Sequence, residues 1–120
     1  MERTTLSGVV EEHIRAVNAS DTDAIMATFA DDAFVNDNKR EILGKAAICR
    51  WIEKEIVGDN IRIEVREVLN HYGATIVRGA YDGTYDKANL PAELILTNYF
   101  TVVDRKIVSL IIIFNQPSQF

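Results

Sequence analysis

The chain has 120 residues, of which 48% are hydrophobic and 26% are charged, and its formal net charge is -5. This size and composition predict one globular domain over residues 1–120 with one hydrophobic core, and they argue against a disordered chain. The acidic balance also argues against a nucleic-acid partner, because binding to phosphate backbones needs clustered Lys and Arg side chains.

The sequence carries few features that indicate a cellular compartment or contact with a membrane. Cys49 is the only cysteine, so no disulfide can form within the chain, and a reducing cytoplasm is the expected location. The longest apolar run, Ile107 to Phe114, is far shorter than the roughly 20 residues that a helix needs to cross a bilayer. The first residues lead into an amphipathic pattern and not into an apolar signal core. We therefore expect no membrane partner.

Three helices are predicted in the first half of the chain. The first runs from about Thr5 to Ala19, since one helical stripe collects Leu6, Val9, Val10, His13, Ile14 and Val17. A second begins near Asp21, where Ser20 or Asp21 can cap the free amides, and it ends at Asp31-Asp32. The third follows Gly44, carries Ile48, Trp51, Ile52 and Ile56 on one face, and ends at Gly58-Asp59-Asn60.

The rest of the chain is predicted to be strands. A short strand over Ala33–Asp37 places Val35 and Asp37 on one face, because strand side chains alternate, and a polar connection follows it. Strands over residues 61–71 and 74–81 are joined at the turn 71–73, and strands over residues 93–103 and 106–114 are joined at 104–105. The last two strands are apolar on both faces in places, which predicts a homodimer through the outer sheet face.

Helices followed by a strand meander predict an α+β fold, with a curved antiparallel sheet wrapped around three N-terminal helices. The run from Phe29 to Ile48, FADDAFVNDNKREILGKAAI, and this order of elements resemble the NTF2-like superfamily, especially its ketosteroid-isomerase and SnoaL-like branches. The resemblance covers nearly the whole chain. It implies a cone-shaped domain whose pocket, between the helices and the concave sheet, holds a small apolar molecule, and it implies dimerisation through the convex face.

Asp37 is the leading catalytic candidate. In ketosteroid isomerases the matching carboxylate takes a proton from the carbon next to a carbonyl group and returns it elsewhere, so the resemblance implies that Asp37 is a base. This role needs a carboxylate in an apolar setting, within hydrogen-bond reach of the substrate. The alternative is that Asn36-Asp37-Asn38 forms a turn, for which all three residues are well suited.

The enolate that forms in such a reaction needs a hydrogen-bond donor at its oxygen. The resemblance places His13 where the isomerases carry their oxyanion-stabilising tyrosine, and it places Tyr99 near the position of their protonated acid. Either side chain could be the donor, and each could instead be a packing residue, His13 in the core and Tyr99 on its strand. The expected ligand-binding wall consists of Trp51, Val35, Leu110, Ile112 and Phe114.

Three functions remain open at this stage. The first is cofactor-independent proton transfer, of isomerase or cyclase type, on a small apolar carbonyl compound. The second is a non-catalytic dimeric module that binds an apolar ligand. The third is epoxide-hydrolase-like addition of water, which needs an acid pair beside Arg78, although a charge in mid-strand more simply indicates an ion pair. The sequence shows no metal-ligand set and no glycine-rich phosphate loop, so neither metal nor cofactor is expected.

Overall fold

The computed structural model describes residues 2–88 and 90–114. In chain order its elements are β1 (Glu2–Arg3), α1 (Gly8–Asn18), α2 (Thr22–Ala27), β2 (Phe29–Asp37), β3 (Arg40–Leu43), α3 (Gly44–Trp51) with a π-helical continuation (Ile52–Val57), β4 (Arg62–His71), β5 (Ala74–Asp82), β6 (Leu94–Val103) and β7 (Lys106–Phe114).

The three predicted helices are confirmed, with changes at their ends. The predicted apolar stripe of α1 faces the core, and His13 is buried within it. The carboxylate of Asp21 caps α2 by accepting a hydrogen bond from the amide of Ala24 at 3.1 Å. The predicted end of α2 at Asp31-Asp32 is wrong, because Phe29 already starts β2 and pairs with Ile107 of β7.

The strands form one seven-stranded sheet in the order β1-β4-β5-β6-β7-β2-β3. The α+β class with a curved sheet around the helices is confirmed, and the pairs from β4 to β7 are antiparallel. The pair between β2 and β7 is parallel, so the sheet is mixed. The sequence prediction missed β1 and β3, and the polar connection after Asp37 is a hairpin in which Asp37 pairs with Arg40.

Two-residue turns set the registers of three hairpins. Both central residues have positive φ angles in the turns at Asn38-Lys39, Tyr72-Gly73 and Asp104-Arg105. Two such angles in succession are the mark of a type I′ turn, whose twist matches that of the flanking strands. The turn at Asn38-Lys39 fixes β3 beside β2, and it thereby brings Arg40 next to Asp37.

The helices and the concave face of the sheet enclose one hydrophobic core. Its largest fully buried side chains come from both layers and include Ile25, Phe29, Ile48, Ile52, Phe100 and Leu110. Leu110 and Ile112 face this interior, so Ile111 and Ile113 between and after them face the opposite, convex side. No helix in the described part of the chain is long and apolar enough to span a membrane.

Candidate functional site

Asp37 ends β2 at the edge of the interior, where its side chain is 22% exposed. The indole Nε1 of Trp51 donates a hydrogen bond to its Oδ2 atom at 3.0 Å, and Nη2 of Arg40 donates to the same oxygen at 2.5 Å. Within residues 2–88 and 90–114 no hydrogen bond to Oδ1 is seen. The carboxyl group is therefore anchored through one oxygen, which leaves the other available to a ligand.

Arg40 also holds Glu55, which lies on the π-helical continuation of α3. Nη1 of Arg40 donates to Oε2 of Glu55 at 2.9 Å and Nη2 donates to Oε1 at 2.6 Å. The hydrogen bond from Arg40 lowers the pKa of Glu55, and the bonds to Glu55 and Asp37 raise the pKa of Arg40. Two carboxylates thus share one guanidinium group. We call Asp37, Arg40, Trp51 and Glu55 the acid cluster.

The acid cluster borders a cavity of about 220 Å³, which we call the outer cavity. Asp37, Trp51 and Glu55 line it, together with Tyr85 and Leu90 of the segment between β5 and β6. The remaining lining residues are mostly apolar: Ile56, Ile61, Leu94, Leu96, Ile112, Tyr81 and Asp59. This volume lies below the range typical of sites for drug-sized ligands, so the cavity suits a small molecule.

A second, inner cavity of about 20 Å³ lies deeper, between α1, α3 and the sheet. The two cavities adjoin, because five residues line both of them, namely Trp51, Ile56, Ile61, Tyr81 and Ile112. Three polar side chains reach the inner cavity: His13, Tyr81 and Asn98. A cavity of this size has room for about one water molecule or one ligand oxygen. The interior therefore has a wide outer part and a narrow inner part, whose mostly apolar lining includes these three polar side chains.

His13 is 4% exposed and lies between Phe29 and Phe100, with each ring centroid 5.4 Å from its own. The hydroxyl group of Thr28 donates its single hydrogen to the carbonyl oxygen of Ile25 at 2.6 Å. Its oxygen must therefore accept the hydrogen bond that joins it to Nδ1 of His13 at 3.0 Å, so Nδ1 carries the proton. Burial lowers the pKa of His13 to about 4. At neutral pH the ring is uncharged, and Nε2 is an acceptor.

Tyr81, which is partly buried, and Asn98, which is fully buried, form a polar pair on adjacent strands. The hydroxyl of Tyr81 donates to Oδ1 of Asn98 at 2.9 Å, and Nδ2 of Asn98 donates to the carbonyl of Val77 at 3.4 Å. Burial of the hydroxyl raises the pKa of Tyr81, and the negative charge of Asp37 raises it further. The phenol therefore stays protonated and remains a hydrogen-bond donor near Asp37.

The structure brings together part of the predicted site. Asp37, Trp51 and Ile112 line the outer cavity, while His13, Leu110, Trp51 and Ile112 line the inner one. Tyr99 lines neither cavity, because its neighbours Asn98 and Phe100 face the interior and strand side chains alternate. Val35 is fully buried in the core, and neither it nor Phe114 lines these two cavities.

Four site residues escaped the sequence prediction: Arg40, Glu55, Tyr81 and Asn98. Glu55 had a usable signal, because it follows Trp51 by four positions and so shares its helix face. Asn98 sits beside Tyr99, and a shift of one residue in the strand alignment exchanges the two faces. Arg40 had no signal once the segment after Asp37 was interpreted as an irregular connection.

The ion pair predicted for Arg78 is confirmed: Nη1 lies 3.4 Å from Glu67. The pair borders a separate groove of about 720 Å³, which also includes Thr4, Leu6 and Arg66 and contains no residue of the acid cluster. Within the described part of the chain, no group of three or more His, Cys, Asp or Glu side chains could hold a metal ion. The acid cluster and the two cavities therefore remain the candidate site.

Comparisons with known proteins agree with this architecture. The SnoaL-like domain family matches residues 10–110, so the chain belongs to that family. Among curated protein sequences, none is significantly similar.

Solved structures share the fold. Protein SMa1630 from Sinorhizobium meliloti, whose proposed assignment is polyketide cyclase, is 30% identical, with 89% of this chain and 94% of that chain covered and a TM-score of 0.79. SalBIII, an epoxide hydrolase/cyclase-like enzyme with a role in pyran ring formation in the polyether salinomycin, is 24% identical. The match covers 90% of this chain and 88% of that chain, with a TM-score of 0.78. RV0760c from Mycobacterium tuberculosis, solved in complex with estradiol-17beta-hemisuccinate, is 17% identical. The match covers 89% of this chain and 91% of that chain, with a TM-score of 0.76.

The fold and the family therefore define an NTF2-like protein of the SnoaL-like branch, whose structural neighbours include cyclase-type enzymes and proteins that bind small ligands.

Proposed function

We propose that this protein catalyses cofactor-independent proton transfer on a small apolar carbonyl compound, with Asp37 as the base. One observation carries the proposal: a carboxylate borders a mostly apolar cavity, with Oδ2 held by Trp51 and Arg40 and without a hydrogen bond to Oδ1 from the described residues. A base needs this arrangement, because a fixed carboxylate can meet a substrate C–H bond without the cost of reorientation.

Arg40 would weaken a lone base by stabilising its negative charge. Glu55 counters this effect, because it accepts two of the three hydrogen bonds that Arg40 donates within the acid cluster. The cluster of two carboxylates and one guanidinium has a net charge of about -1 when both acids are ionised. In our proposal Arg40 fixes the position of Asp37, and Glu55 offsets the positive charge of Arg40.

We assign the oxygen-side donor to Tyr81 instead of Tyr99 or His13. Tyr81 borders both cavities, and its phenol is protonated at neutral pH because burial raises its pKa. In the proposed complex its hydroxyl leaves Asn98 and donates to the substrate oxygen, which stabilises the enolate. His13 cannot serve as the donor in this arrangement, since its one N–H group is bonded to Thr28.

The decisive experiment follows exchange of α-protons for deuterium by NMR, with small ketones such as acetophenone and cyclohexanone in heavy water. We expect catalysed exchange by the unmodified protein and its loss in Asp37→Asn. Asp31→Asn is the matched control, because Asp31 lies on the same strand but is 98% exposed and pairs with Lys45. Equal exchange by Asp37→Asn would refute the base, and absence of exchange with every ketone would favour a non-catalytic binding module.

Addition of water to an epoxide is a second candidate. Its requirement for an acid pair beside Arg78 is not met by the ion pairs described, in which Arg78 contacts Glu67. Two carboxylates do meet on Arg40, however, and both of them border the outer cavity. Hydrolysis of styrene oxide in ¹⁸O-labelled water tests this candidate, which requires labelled diol from the unmodified protein and none from Asp37→Asn.

We further propose a homodimer through the convex face of the sheet. Leu69, Ile76, Tyr99 and Ile111 pair in register across β4 to β7 and form an apolar row on that face. Ile113 lies on the same face and is 43% exposed. Light scattering after size exclusion tests the proposal: Ile113→Lys should shift the dimer to monomer, whereas Leu43→Lys, at an exposed site on β3, should not.

A further inference from the structure

We propose that the inner cavity is a recognition site for a hydroxyl group, in which Nε2 of His13 accepts a hydrogen bond from an O–H group of the ligand. The inference rests on the same pocket as the proposed function and specifies its ligand class: a small apolar carbonyl compound that also carries an alcoholic or phenolic hydroxyl at its leading end.

His13 is held in one tautomer by its contact with Thr28. Its Nδ1 atom bonds to a hydroxyl whose only hydrogen is already donated to Ile25, so the ring proton is on Nδ1. Nε2 then has a lone pair and no proton. The two rings that flank it, Phe29 and Phe100, are uncharged and do not favour its protonation.

Nε2 of His13 has no hydrogen-bond partner among the described residues, although His13 is only 4% exposed and lines the inner cavity. In the same part of the chain, no fully buried side-chain nitrogen or oxygen atom lacks a partner. Nε2 must therefore have its small accessible area at the cavity surface, where it can accept a hydrogen bond from an atom that enters.

Nε2 of His13 discriminates between the types of oxygen that a ligand can bring into the inner cavity. A carbonyl or ether oxygen has no hydrogen to donate, and its lone pairs would face that of Nε2. A hydroxyl group can donate to Nε2 and accept from Nδ2 of Asn98, whose hydrogen bond to the carbonyl oxygen of Val77 is long at 3.4 Å. The volume of about 20 Å³ admits the hydroxyl alone, so the apolar body of the ligand occupies the outer cavity.

Binding of phenol, anisole and benzene, measured by titration calorimetry, tests the selectivity. We expect phenol to bind about tenfold more tightly than anisole or benzene, the size of one net hydrogen bond. His13→Phe should abolish this preference while leaving benzene binding in place. His71→Gln, at an exposed hairpin end, is the matched control and should keep the preference. Equal binding of the three probes, or no binding by any of them, would overturn the inference.

Nitrogen-15 NMR of the histidine rings tests the tautomer without any substitution. We expect the His13 proton on Nδ1 at neutral pH, and a shift of the Nε2 resonance when phenol is added. A proton on Nε2 would overturn the inference. Thr28→Val adds a second check, because it removes the acceptor for Nδ1 and should raise the share of the Nε2–H tautomer. These readouts involve no turnover, so failure of the Asp37 proposal would appear separately, in the exchange assay.

Discussion

Burial of an uncharged histidine predicts a specific loss of stability in acid. His13 has a pKa of about 4 in the folded protein, against the ordinary value of 6.5 expected in the unfolded chain. Between these two values the unfolded chain binds the proton more readily, so the free energy of unfolding falls as the pH falls. The stabilisation is complete above pH 6.5, and its loss is complete near the folded pKa.

The magnitude follows from the size of the shift. Each pKa unit corresponds to about 1.4 kcal/mol, so a decrease from 6.5 to about 4 predicts a loss of about 3 kcal/mol across that interval. This is a large part of the total stability of a small domain. Since the ring is buried between Phe29 and Phe100, little of the effect is screened by solvent.

The assay is urea unfolding of the unmodified protein and of His13→Phe at a series of pH values. The phenyl ring keeps the approximate shape of the site but cannot titrate. Carboxylates such as Glu55, whose stabilising ion pair is also lost in acid, titrate in both proteins, so their contribution cancels in the difference. We expect this difference to change by about 3 kcal/mol between pH 6.5 and 4. Parallel stability curves would show that His13 is charged or hydrated in the folded state, and the reasoning would be refuted.

Three further outcomes are expected. The indole N–H resonance of Trp51, the only tryptophan, should move upfield in Asp37→Asn, because a neutral amide oxygen is a weaker acceptor than a carboxylate. An unchanged resonance would contradict the 3.0 Å hydrogen bond. Asn98→Leu should lower the free energy of unfolding in urea by about 2 kcal/mol, because the Tyr81 hydroxyl loses its buried acceptor. Adding Tyr81→Phe should recover part of this loss, and full additivity of the two changes would argue against the pair. Gly58→Ala should destabilise the protein by about 1–3 kcal/mol. The reason is that an added Cβ would clash with the carbonyl oxygens of Lys54 and Glu53 at the end of the π-helical segment. An unchanged midpoint of thermal unfolding would contradict this prediction.

Much of the fold could be predicted because its signals are local. The stripe of α1, the cap at Asp21 and the alternation around Ile63 each depend on neighbouring residues, and all three are confirmed. The errors share a different cause. The hairpin at Asn38-Lys39 carries no glycine, so its sequence lacks the usual mark of a type I′ turn. The early end of α2 depends on pairing of Phe29 with Ile107, far along the chain.

The candidate site was predictable in part for the same reason. Asp37 and Trp51 were identified from a strand end and a helix face. The resemblance points to Tyr99, whereas the structure places Asn98 inward. Both faces of this strand are partly apolar, so the sequence alone does not show which of the two residues points to the core. Arg40 reaches Asp37 only because β3 folds back beside β2.

The sequence by itself determined the order of the three helices and of the five longer strands, the inward face of α1 and the acidic character of the chain, because these follow from periodicity and composition. Tertiary structure alone decided that Trp51, Arg40 and Glu55 meet at Asp37 and that Thr28 fixes the proton of His13. These contacts join atoms on separate elements. Their distances depend on strand register and helix packing, which no local pattern encodes.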